Sequence, residues 1–125
     1  MALNIKSIAK KSTVVAEIME NREKGETEEL IALKRPVTIN DCEECRLIND
    51  NNEEEIVWAY TLKEYPEKFF FAGLVLKKIF ESILAECEGD YEELYNAVRE
   101  QGLTVKYGQK KTRDGKRTVT TIEVV

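Results

Sequence analysis

The stretch Ile56 to Lys63 alternates strictly. Ile56, Trp58, Tyr60 and Leu62 fall on one side of an extended chain, and Val57, Ala59, Thr61 and Lys63 fall on the other. A strand of that kind needs neighbours to satisfy its backbone, so the chain must build a sheet around it. A second cue lies near the C-terminus. Asp114-Gly115 separates Leu103, Val105 and Tyr107 from the β-rich run Val119 to Val125, which is the pattern of a hairpin. The segment "RPVTINDCEECRLI" reads as a strand with Pro36 at its entry, and "NDNN" at 49–52 as the turn after it. Tyr65 and Pro66 bend the chain, and Phe69 to Phe71 form a third, short strand.

Helical spacing takes over after Gly73. Leu76, Ile79, Phe80, Ile83, Leu84 and Cys87 make one apolar stripe, and Gly89 breaks it. Asp90 caps a second helix, with Glu93 three residues on, and Tyr91, Leu94, Tyr95 and Val98 form its stripe up to Gly102. Near the start, Ile5, Ile8, Val15, Ile18 and Met19 predict a helix that ends at 21–25, with Gly25 as its left-handed terminal residue. The segment "ETEELIAL" fits a helical turn or a strand, and periodicity does not choose between them. The expected class is α+β: an OB-like five-stranded antiparallel barrel or sheet with an N-terminal helix and a two-helix insertion between strands three and four. One domain is expected over 1–125, with 1–25 a helical extension and 35–125 the OB-like core.

Composition narrows the chemistry. The chain holds no histidine, which removes the commonest general base and metal ligand and any Ser-His or Cys-His nucleophilic pair. No glycine loop for phosphates is present. We therefore expect a non-enzymatic protein without cofactors. Cys42 and Cys45 have the spacing of half a metal site, but Cys87 is the only other thiol and a closed site needs four ligands. No metal is expected, and an odd thiol count fits a reducing compartment. The longest apolar run, Phe69 to Leu76, is too short to span a bilayer, and the first twelve residues lack an apolar leader core, so a cytoplasmic location away from membranes is expected.

Charge is distributed unevenly. The net charge is −5, yet residues 1–11 carry +3 and residues 103–125 carry +4, leaving −12 on the segment between. The cations Lys106, Lys110, Lys111, Arg113, Lys116 and Arg117 crowd the terminal hairpin against Asp114 and, further along, Glu123. Such a cluster suits the phosphates of a nucleic acid, and it also suits the plainer task of protecting an edge strand from aggregation. Single-strand binders add stacking rings. Tyr65, beside Pro66, Phe69 and Tyr107 are the candidate platforms, although Tyr107 shares the parity of Leu103 and Val105, and Trp58 shares that of Ile56 and Leu62, which favours burial.

The passages "EEIVWAYTLKEYPEKFFFAGLVLKKIFESI" and "LTVKYGQKKTRDGKRTVTTIEVV" resemble small OB-fold-like proteins of phages and mobile elements of Gram-positive bacteria. The similarity covers residues 35–125 and is strongest at "YPEKFFFAG" and at the Lys/Thr-rich turn. It implies single-stranded DNA as the partner. Small proteins of the same elements also include inhibitors of host proteins. The alternative is therefore a protein-binding module that meets a basic partner through the acidic segment 41–55. Pairing through the last strand leaves a homo-oligomer open.

Overall fold

A computed structural model describes residues 17–48 and 50–125. After a 3-10 turn at Glu17–Met19, the chain forms β1 (Glu23–Lys24), α1 (Thr27–Leu33), β2 (Val37–Ile48), β3 (Glu54–Leu62), β4 (Tyr65–Phe71), α2 (Leu74–Glu86), α3 (Tyr91–Gln101), β5 (Leu103–Lys111) and β6 (Thr118–Val124). The class is α+β. The described strands form one mixed, curled sheet of six in the order β1-β4-β3-β2-β5-β6, a half-barrel rather than the five-stranded arrangement expected. The extra strand is β1, two residues that pair parallel to β4, while every other pairing is antiparallel. The helix expected before Met19 falls mostly on residues outside those described.

The ambiguous segment 27–33 is α1. Glu29 reaches back to the Glu26 N–H at 3.3 Å, and Lys34 ends the helix in the left-handed region at φ 56. Only Leu30 of this helix is fully buried, which is why its periodicity was weak. The two later helices follow the expected bounds. Gly73 starts α2, Asp90 accepts from the Glu93 N–H at 3.2 Å to cap α3, and Gly102 (φ 71) closes it. Gly25 is not left-handed. A Cβ there would lie 2.2 Å from the Phe70 ring, so this glycine serves close packing, with its N–H on the Phe69 carbonyl at 2.8 Å.

Tyr65 and Pro66 belong to β4 rather than to a bend. The chain turns one step earlier, at Lys63 and Glu64, and Pro66 falls where the β3–β4 register shifts, so its missing N–H interrupts no regular ladder. The main core lies between the sheet and the helices. Trp58, Tyr60, Leu62, Phe70, Leu76, Phe80, Leu94 and Val105 are all buried there, and Trp58 stands 5.3 Å from Phe80 between ring centroids. Ile56 shares the parity of Trp58 but lies beyond this cover and is 45% exposed. The opposite face of the sheet has a smaller cluster, Ile18, Cys45, Ala59 and Phe69, with Val57 and Phe71 at its margin.

The half-barrel opens because β5 leaves β2 early. Only Val37, Thr38 and Ile39 pair with β5. Beyond them, side chains serve the β2 backbone: the Asp41 carboxylate accepts from the Cys42 N–H at 2.9 Å, and the Tyr95 hydroxyl of α3 accepts from the Glu44 N–H at 3.0 Å. Burying those amides without partners would cost roughly 1–3 kcal/mol each. No described helix is long and apolar enough to cross a membrane.

Candidate functional site

The β5–β6 hairpin is built by its register. Lys106 pairs with Glu123, Tyr107 with Ile122, Gly108 with Thr121, Lys110 with Val119 and Lys111 with Thr118. Alternation sends Val105 and Tyr107 into the core and Lys106 and Lys110 to the other face. The loop 112–117 is closed by the Thr112 N–H on the Arg117 carbonyl and the Gly115 N–H on the Thr112 carbonyl, both at 2.9 Å, with Gly115 at φ 71. Asp114 is consumed by this loop. Its carboxylate accepts from the Thr112 hydroxyl and from the Lys116 N–H, which hold its pKa below the usual carboxylate value. The one acid of the tip therefore shapes the turn and forms no ion pair among the described residues.

Lys106, Lys110, Lys111, Arg113, Lys116 and Arg117 are all exposed, and none of them forms an ion pair among the described residues. The structure thus brings five of the six together at the hairpin tip, while Lys106 sits further back, directly across from Glu123.

The stacking residues do not join them. Tyr107 is 4% exposed, and its hydroxyl is bonded to that of Tyr60 inside the core. Burial drives the Tyr107 phenol up to about 12, and the Tyr60 phenol is raised as well, first by burial and then by Tyr107. Phe69 is buried on the second face, against Cys45, Ala59 and Ile18 of the 3-10 turn, and meets Phe71 edge-on at 5.5 Å. Tyr65 is half-buried, packed against the main core. Trp58 is 1% exposed. Phe69 and Tyr107 are therefore structural rings, since a large aromatic gains much from burial, and Tyr65 keeps part of its ring exposed at the edge of the core. Phe71, which alternation places with Phe69 and opposite Phe70, keeps a partly exposed ring with Lys24 Nζ 5.5 Å from its centroid; alternation alone gives no sign of Lys24 arriving from β1.

The acidic segment is largely engaged within the chain. Asp41 pairs with Arg99 at 3.0 Å, Glu44 accepts from the Tyr91 hydroxyl at 2.9 Å, Arg46 pairs with Glu54 at 3.4 Å, and the Ile18 N–H approaches Glu43 at 3.4 Å. Cys42 and Cys45 lie in different clusters on opposite faces of β2, so they do not converge on one ion. Burial first, then the neighbouring carboxylates Asp41 and Glu43 respectively, push these thiols up to about 12 and about 11.

Two concavities flank these features. One, ≈ 300 Å³, is lined by Glu17, Ile18, Arg22, Asp41, Glu43 and Arg99. Asp41 and Arg99 pair within it, and Arg22 donates to the Ile18 and Pro66 carbonyls at 3.0 and 3.1 Å. The other, ≈ 590 Å³, lies between the start of α2 and the hairpin, with Leu74, Val75, Val119, Ile122 and the paired tyrosines among its walls. Comparison with protein-family models, with curated proteins and with solved structures finds no match.

Proposed function

We propose that this is a non-enzymatic binding protein whose hairpin tip engages the phosphate backbone of single-stranded DNA. The observation that carries the reading is the contrast in pairing. The tip cations are exposed and without ion pairs among the described residues, whereas much of the acidic segment is committed to Arg99, Arg46, Tyr91 and the Ile18 amide. A region that kept its charges only for solubility would have no reason to spend its single acid on the turn and leave five cations at one end.

Topology supports the same reading. Taken without β1, the order β4-β3-β2-β5-β6 is a three-strand meander with the last hairpin added beside its first strand, which is the order of an OB barrel opened at its seam. In OB-folds the loop between strands four and five is one of those that hold oligonucleotides, and here that loop is 112–117. The resemblance to small phage and mobile-element proteins names the same target. The mode differs from that of a stacking binder. Phosphate contacts dominate, so affinity is salt-dependent and indifferent to base.

Anisotropy of a labelled oligo-dT tests this. Binding at 50 mM salt that falls steeply by 200 mM supports it, and absence of binding at the lower salt removes it. A duplex of equal length that binds as tightly would assign the tip to phosphates in general rather than to single strands.

A further inference from the structure

We infer that a second copy of this chain pairs antiparallel along the outer edge of β6, which no described strand covers. The backbone pattern identifies that edge. The Thr112 N–H bonds the Arg117 carbonyl at 2.9 Å, and the Val125 N–H bonds the Thr104 carbonyl at 3.0 Å. With the observed register, alternation makes Lys106–Glu123, Gly108–Thr121 and Lys110–Val119 the hydrogen-bonded pairs between them. Val119, Thr121 and Glu123 therefore turn their amides and carbonyls toward β5. Thr118, Thr120, Ile122 and Val124 turn theirs outward, where the described residues supply no further strand.

The two ends of the sheet are treated differently. At one end, β1 is two residues long, and both are charged, Glu23 and Lys24. That is how a sheet protects an edge. At the other end, β6 reads Thr-Val-Thr-Thr-Ile-Glu-Val, with no proline, no lysine, one charge and no register shift against β5. Its own Val119 (45%) and the neighbouring Leu74 (68%) and Val75 (44%) are exposed, all on the walls of the ≈ 590 Å³ cleft. An adhesive backbone edge and an apolar patch thus adjoin.

Charge selects both the partner and the register. A two-fold pairing centred on Thr120 sets Thr118 opposite Ile122 of the second copy, joining outward-facing backbone to outward-facing backbone. It also sets Arg117 opposite Glu123 of the second copy, twice over, at non-hydrogen-bonded positions where facing side chains come closest. Sliding the centre to Thr121 would oppose Glu123 to Val119 and lose both ion pairs. In the Thr120-centred register Glu123 lies between Lys106 of its own hairpin and Arg117 of the second copy, so opposite signs alternate across the join. The two sheets become one continuous sheet; Lys116 falls opposite Val124 of the second copy, and Lys110, Lys111 and Arg113 stay clear of the join. This pairing does not depend on the nucleic-acid reading.

Light scattering after gel filtration of the full chain, without nucleic acid, measures the mass. A value of twice 14.4 kDa at micromolar concentration is expected. Thr120→Pro removes an outward N–H that β5 does not use, and it should give a monomer with an unchanged far-ultraviolet spectrum. Arg117→Glu and Glu123→Arg should each raise the dimer dissociation constant by about tenfold, and the double exchange should restore it. A wild-type chain that stays at 14.4 kDa overturns the proposal, as does a Thr120→Pro variant that remains fully dimeric. Single charge variants that leave the dimer unchanged overturn the register.

Discussion

Replacing Lys110 and Lys116 by alanine should halve the salt dependence of oligonucleotide binding. Four tip cations, Lys110, Lys111, Arg113 and Lys116, have no acid opposite them in the β5–β6 ladder or in the pairing proposed for β6. At roughly −0.7 per phosphate contact on a single strand, four contacts give a slope of about −2.8 in log K against log salt. From 50 to 200 mM, affinity then falls by about 50-fold for the wild type and by about 7-fold for the double variant, whose slope is about −1.4. Both substituted side chains are exposed, so folding should survive. Anisotropy titrations of labelled oligo-dT at three salt concentrations measure both slopes. A double variant that weakens binding at one salt but keeps the wild-type slope would show that these lysines do not release counterions, and the phosphate-contact argument would fail.

Because Phe69 and Tyr107 are buried and Tyr65 is packed against the core, an abasic oligonucleotide should bind within about twofold of oligo-dT, since stacking on even one ring at the site would be worth roughly 1–3 kcal/mol. A tenfold preference for dT would reveal a stacking ring on the surface. Gly25→Ala should lower stability by about 1–3 kcal/mol in urea unfolding, because its methyl meets the buried Phe70 ring. At pH 8 iodoacetamide should modify half-buried Cys87 while sparing Cys42 and Cys45, whose thiols sit at about 12 and about 11; mass spectrometry before and after unfolding checks this. The lowered Asp114 pKa means that the turn is supported above the ordinary carboxylate value of about 3.9 and loses that support as pH falls through the lower, folded value. The Lys116 amide resonance should therefore move in acid, and Asp114→Asn should abolish that titration.

What could be read from the sequence was whatever depended on local periodicity. Trp58, Tyr60 and Leu62 repeat every second residue, Leu76 and Phe80 lie one helical turn apart, and Asp114-Gly115 marks a reversal, so β3, α2 and the last hairpin fell close to their expected places. Which faces were covered could not be read. Phe69 stands on the side of the sheet that alternation leaves to solvent, and Ile18, some fifty residues away in the chain, closes over it. Gly25 was mistaken for a helix terminator because its constraint is a ring at position 70, which local sequence does not reveal. Short elements failed for a related reason: β1 has only two residues, and α1 has one fully buried side chain, too few for a period to show. The cations were legible from composition, but the role of Asp114 in the turn needed coordinates.

The early parting of β5 from β2 has a mechanical consequence. After three paired positions the ribbon is held to the rest of the protein by what Tyr107 and Ile122 pack against the core, and no residue of β5 beyond Tyr107 is buried. From Tyr107 to Lys111 the chain runs about 13 Å at strand rise. The tip is thus a short cantilever, clamped at its root and loaded at its end. A small tilt at the clamp would move all of its charges together, so that in the proposed complex the arm would meet the phosphate backbone as one prong.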